Sequence, residues 1–134
     1  MKLKNIRYWL YNHDVDHLGD TAWSLPHEID GWVELIDSEN SSQHIICFQV
    51  ENDFYMKIRD EQKKPTNLVH AHDVTGQKPW SLLIGENIDI SFDSNSPTQW
   101  ISVYDKLTRV YLCSFENGSW GGDQIWISNA LPTV

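Results

Sequence analysis

The chain has 134 residues and a formal net charge of −9, with 19 Asp and Glu against 10 Lys and Arg. That balance argues against nucleic-acid binding, which rests on Lys and Arg contacts to phosphate. No apolar run approaches the roughly 18 residues of a membrane span, and the length suits one β-rich domain over residues 1–134, able to bury about two-thirds of its unfolded surface.

Strand-like runs follow one another along the chain, separated by turn-forming residues. In 2-KLKNIRYWLY-11 the side chains of Ile6, Tyr8 and Leu10 share one face, and Arg7, Trp9 and Tyr11 the other. The polar stretch 12–30 contains Pro26 and has no steady period, so it reads as a long loop with room for one short helical turn. Next, 31-GWVELID-37, 44-HIICFQV-50 and 54-FYMKIRD-60 read as a three-stranded meander. Glu51-Asn52-Asp53 suits a tight hairpin, because Asn and Asp tolerate left-handed backbone geometry. The second of these runs is apolar on both faces, the mark of a central strand covered on both sides.

The run 68-LVHAHDV-74 places His70 and His72 on one face of a strand. Then 80-WSLLI-84 and 87-NIDISFD-93 are expected to pair through Gly85-Glu86, with Ile88, Ile90 and Phe92 buried and Asp89 and Asp93 exposed. Finally, 99-QWISVY-104, 108-TRVYLCSF-115 and 124-QIWIS-128 close the series, with a hairpin at Asn117-Gly118 and a bulge at Gly121-Gly122. About nine short strands and no long helix predict an antiparallel β-sandwich or partly open barrel, with a long acidic loop after the first strand.

The N-terminal residues lack the apolar core of a secretion signal, so a cytoplasmic protein is expected. Cys47 and Cys113, each inside an apolar run, then read as buried free thiols. The glycosylation sequons at Asn40 and Asn117 carry no weight in that setting.

His70-Ala-His72 has a spacing used by metal sites on strands, but a site needs further ligands. His13 and His17 lie in a stretch that is poor helix, and no glutamate follows the pair closely. The expectation is that no metal or other cofactor is bound. No nucleophile elbow, phosphate loop, His-Glu-x-x-His or dinucleotide fingerprint is present, and a non-enzyme is expected. Of the seven tryptophans, those on strands, such as Trp80 and Trp100, read as core. Trp23 and Trp120 stand in polar loop contexts, where an indole can stack on a sugar or anchor a protein.

The charge distribution is the most specific feature. From Tyr8 to Met56 there is no Lys or Arg, yet that span holds ten carboxylates; the remaining 85 residues carry nine acids against ten bases. A one-signed surface steers an oppositely charged partner. The expected function is therefore a small acidic protein that neutralises a basic protein, in concrete form a bacterial immunity protein or antitoxin blocking a toxin domain such as a nuclease. Asp14, Asp16, Asp20, Trp23, Glu28, Asp30, Glu34 and Asp37 are the expected partner-binding residues. A carbohydrate- or small-ligand-binding sandwich is the alternative, and a metal-dependent enzyme the third reading.

Overall fold

The computed structural model describes residues 1–10, 25, 27–29, 31–38, 43–50, 54–59, 70–95, 98–115 and 125–131, the runs 43–50 and 54–59 by their backbone pairing. The described residues form ten strands: β1 Leu3–Leu10, β2 His27–Ile29, β3 Gly31–Asp37, β4 Gln43–Val50, β5 Phe54–Arg59, β6 His70–Asp73, β7 Asp89–Asn95, β8 Thr98–Tyr104, β9 Arg109–Phe115 and β10 Ile125–Ser128. They form two five-stranded antiparallel sheets, ordered β5-β4-β3-β1-β6 and β2-β10-β9-β8-β7. The fold is an all-β sandwich.

Alternation along the strands builds the core. Ile6, Tyr8 and Leu10 of β1 and Val33 and Leu35 of β3 line the inner face of the first sheet. Ile101 and Val103 of β8, Val110 and Leu112 of β9, and Ile125 and Ile127 of β10 line the second. All belong to one buried cluster, so the two inner faces pack on each other. Period-two patterning puts one face of β1, β3, β8, β9 and β10 in this interior and turns the other face away from it. The meander β3-β4-β5 and the β9-β10 neighbours have the expected antiparallel pairings. The turn at Asn117-Gly118, and the side chains of β4 and β5, lie outside the described residues.

Two of the expected elements need correction. The run 80–84 is not a strand pairing with 87–93: Trp80–Leu82 form a 3-10 turn, and β7 pairs with β8 instead. Pro79 and Leu83 both hold right-handed helical geometry at its ends, and the Leu83 N–H donates to the Trp80 carbonyl at 2.9 Å. Trp80 and Leu83 are buried while Ser81 and Leu82 face solvent, a spacing of three that a curled backbone satisfies and the period-two alternation of a strand does not. Gly85, at φ 83, supplies the left-handed turn that leads toward β7. The second correction is β2, a strand inside the stretch read as loop: His27 and Ile29 are buried and Glu28 is exposed.

A polar network lies inside this apolar core. Trp80 Nε1 donates to Tyr8 Oη at 2.7 Å, and Tyr8 Oη lies 2.9 Å from His27 Nδ1. Since the phenol accepts from the indole, its own proton is free to go to an unprotonated Nδ1. Burial pushes the Tyr8 hydroxyl far above its ordinary value and lowers His27 to about 4, so both groups are neutral at pH 7. The network ties β1 of one sheet, β2 of the other and the 3-10 turn together.

Candidate functional site

Because Ile101, Val103, Val110, Leu112, Ile125 and Ile127 point inward, the alternate residues of β8, β9 and β10 stand on the outer face of the second sheet. Strand register arranges them in rows. One row runs across all five strands: Glu28 of β2, Trp126 of β10, Cys113 of β9, Trp100 of β8 and Asp93 of β7. Beside it run Ser128, Tyr111, Ser102 and Ser91, and then Arg109, Tyr104 and Asp89.

The face has an aromatic centre and an acidic margin. Trp100, Trp126, Tyr104 and Tyr111 are half-buried, whereas Glu28, Asp89 and Asp93 are exposed. Among the described residues of these rows Arg109 is the base, and the sheet itself engages it: its guanidinium stacks over the Tyr104 ring at 4.1 Å and Nη1 lies 3.4 Å from Ser102 Oγ. Glu28, Asp89 and Asp93 form no ion pair among the described residues, so their charge is directed to solvent.

Cys113, a free thiol, is fully buried although its strand position is on the outer face. Trp100 and Trp126 flank it in register on either side. Burial pushes the thiol up to about 12, far from the thiolate a nucleophile requires.

The outer face of the first sheet is different. Arg7, Trp9, Trp32 and Glu34 stand there, with Glu34 fully buried. Trp9 Nε1 donates to Glu34 Oε1 at 3.2 Å, and Arg7 Nη1 lies 3.8 Å from the same oxygen. Asp73, next to Arg7 in register, is held below its ordinary value by hydrogen bonds from Thr75 and by the Arg7 and His72 charges. Among the described residues of this face, Glu34 and Asp73 thus both lie beside Arg7.

The structure thus separates the residues expected to bind a partner. Glu28 is on the outer face of the second sheet, Glu34 on that of the first, and Asp37 is buried at the end of β3 opposite Leu3. Asp14, Asp16, Asp20, Trp23 and Asp30, like Trp120, lie outside the described residues. Trp100, expected in the core, is turned outward, because Gln99 and Ile101 take the inward positions on β8. Phe92 is 51% exposed rather than buried, on a strand that has, among the described residues, a neighbouring strand on one side only.

The sequence reading did not single out Trp126, Tyr104 or Tyr111 as one surface. Their shared face is visible along each strand as alternation with Ile and Val, but their adjacency depends on register.

His70 and His72 do share a face of β6, opposite Leu10 and Tyr8 of β1. Among the described residues, no group of three or more His, Cys, Asp or Glu side chains converges to hold a metal ion, and no helix is long and apolar enough to cross a membrane. An open cleft of about 460 Å³ lies at one end of the molecule, lined by Glu86, Asn87, Asp105, Lys106 and Leu107. Comparison of the chain with protein-family models, with curated proteins and with solved structures returns no match.

Proposed function

We propose that this chain is an acidic binding protein that docks a basic protein through the outer face of its second sheet. The observation that carries the reading is the row Glu28–Trp126–Cys113–Trp100–Asp93: indoles at its centre and exposed carboxylates at its ends. Protein interfaces concentrate binding energy in central Trp, Tyr and Arg residues, with charged groups at a wetter rim. The chain's net charge of −9, and the span from Tyr8 to Met56 without Lys or Arg, make a basic partner the complementary one. The concrete form is an immunity protein or antitoxin that covers the basic site of a toxin domain such as a nuclease.

The test is capture of partners from the native cell by the tagged protein at low and high salt, with a Trp100→Ala, Trp126→Ala variant as control. A basic protein retained at low salt, released by salt and lost with the variant supports the reading. Capture of no basic protein removes it.

A second reading draws on the same indoles. Trp100 and Trp126 are two strand spacings apart, about 10 Å, and a flat indole pair also stacks on sugar rings. Binding of a neutral oligosaccharide, insensitive to salt and lost in the same variant, would favour this alternative.

A further inference from the structure

The acidic margin of the second sheet ends at a strand edge. Among the described residues, β7 is the last strand of its sheet, and it runs for seven residues in continuous register with β8, with no bulge. Its sequence, DISFDSN, contains no Lys and no Pro. Open edges are commonly blunted by such residues, by bulges or by shortness. The other described edges are shorter: three residues in β2, four in β6 and six in β5.

The direction of the free backbone groups follows from the start of this segment. The Ile88 N–H donates to the Met1 carbonyl at 2.8 Å, away from β8. In an extended strand the N–H and C=O of one residue point to the same side, and the side alternates with each residue. Ile90 and Phe92 therefore direct their backbone groups to the open edge, while Asp89, Ser91 and Asp93 direct theirs to β8. Phe92 also leaves half of its ring uncovered on that strand.

The charges on β7 decide what can pair there. Two copies of β7 in antiparallel contact about Ser91 would set Asp89 against Asp93 twice, and like charges directly opposite are destabilising. A strand carrying Lys or Arg at alternate positions would meet the same carboxylates favourably. We propose that β7 takes up an extended basic strand of the partner, continuing the second sheet by one strand, with an apolar residue of that strand covering Phe92. This rests on the reading of the second sheet as the docking face. It adds that main-chain pairing, besides side-chain contact, holds the partner.

The probe is an end-capped peptide of alternating lysine and valine, with a glutamate–valine peptide as control, and the readout is amide hydrogen exchange by NMR. With the lysine peptide at about 100 times its Kd, the Ile90 and Phe92 amides should exchange about 100-fold more slowly. The glutamate peptide should leave them unchanged. Phe92→Ala should weaken the peptide by loss of the ring, and Phe92→Pro should weaken it further, because it also removes an edge-facing donor without touching the β8 ladder. The Asp89→Asn, Asp93→Asn double variant, which alters neither ring nor backbone, should lose the preference for lysine over glutamate.

Three results would overturn the inference: slow exchange of both amides in the free protein, peptide binding that leaves them unprotected, or no peptide binding. If a basic protein is captured through Trp100 and Trp126 while these amides stay unprotected, the edge inference fails and the docking face stands. If neither occurs, both fail.

Discussion

Tyr8 Oη and His27 Nδ1, 2.9 Å apart in the buried interior, join a strand of one sheet to a strand of the other. The two rings meet edge to face, with centroids 5.8 Å apart and planes at 76°. Trp80 Nε1 completes the chain of donors and acceptors at the same phenol oxygen. Tyr8→Phe would keep the ring and leave the indole N–H and the imidazole nitrogen without their shared partner. Each buried group left unsatisfied costs about 1–3 kcal/mol. Urea denaturation should show a loss of that order, and an unchanged midpoint would show that the network contributes nothing to stability.

The same imidazole predicts acid sensitivity. His27 titrates near 4 in the folded chain, below the ordinary 6.5. Between those values the unfolded chain binds the proton and the folded chain does not, so stability falls as pH is lowered. The contribution is fully present above about pH 6.5, declines on acidification, and falls no further below about pH 4. Urea midpoints compared at pH 7 and pH 5 should differ for the wild type, and less for His27→Gln.

Core position separates neighbouring isoleucines. Ile101 is fully buried on β8, and Ile90 of β7 is only partly covered. Ile101→Ala should cost about 2–5 kcal/mol, as expected for a cavity that the surroundings cannot fill. Ile90→Ala should cost clearly less. Equal losses in thermal or urea unfolding would contradict the assignment of β7 to an edge.

Cys113 offers a probe of the aromatic face. Its buried thiol, pushed up to about 12, should be alkylated far more slowly in the native protein than in urea. Removing a flanking indole by Trp100→Ala should speed the reaction without unfolding the chain. Mass spectrometry of the peptide containing Cys113 measures both rates, and equal rates for wild type and variant would mean that Trp100 does not cover the sulfur.

Once a basic partner is in hand, the face and its margin should separate kinetically. Trp100→Ala or Trp126→Ala should weaken binding by about 2 kcal/mol or more, chiefly through faster dissociation, if either is a central anchor. Asp89→Asn with Asp93→Asn should instead slow association and flatten its salt dependence. Folding stability should change by no more than about 0.5 kcal/mol, since both carboxylates are exposed. Surface plasmon resonance over a salt series distinguishes these effects, and identical salt slopes for wild type and double variant would remove β7 from the steering surface.

Much of the sandwich is written in the order of the residues. The alternation Ile6, Tyr8, Leu10 in β1 assigns an inner and an outer face before any partner strand is known, because successive side chains of an extended chain must point opposite ways. The same local rule marks β8 and β9, and the acidity of the span from Tyr8 to Met56 is read directly. Where a segment is too short for its period to be distinctive, the rule fails: the apolar run 80-WSLLI-84 reads as a strand, whereas burial of Trp80 and Leu83, three apart, fits the turn that forms, and His27–Ile29 is only three residues long. Register and sheet order depend on packing between residues far apart in the chain. That packing set Tyr8 against His27, brought Glu34 to Trp9 and Arg7, placed Trp100 beside Cys113, and left β7 with its carboxylates at an edge. Local alternation determines which way a side chain points; only the closing of one sheet over the other determines what it meets.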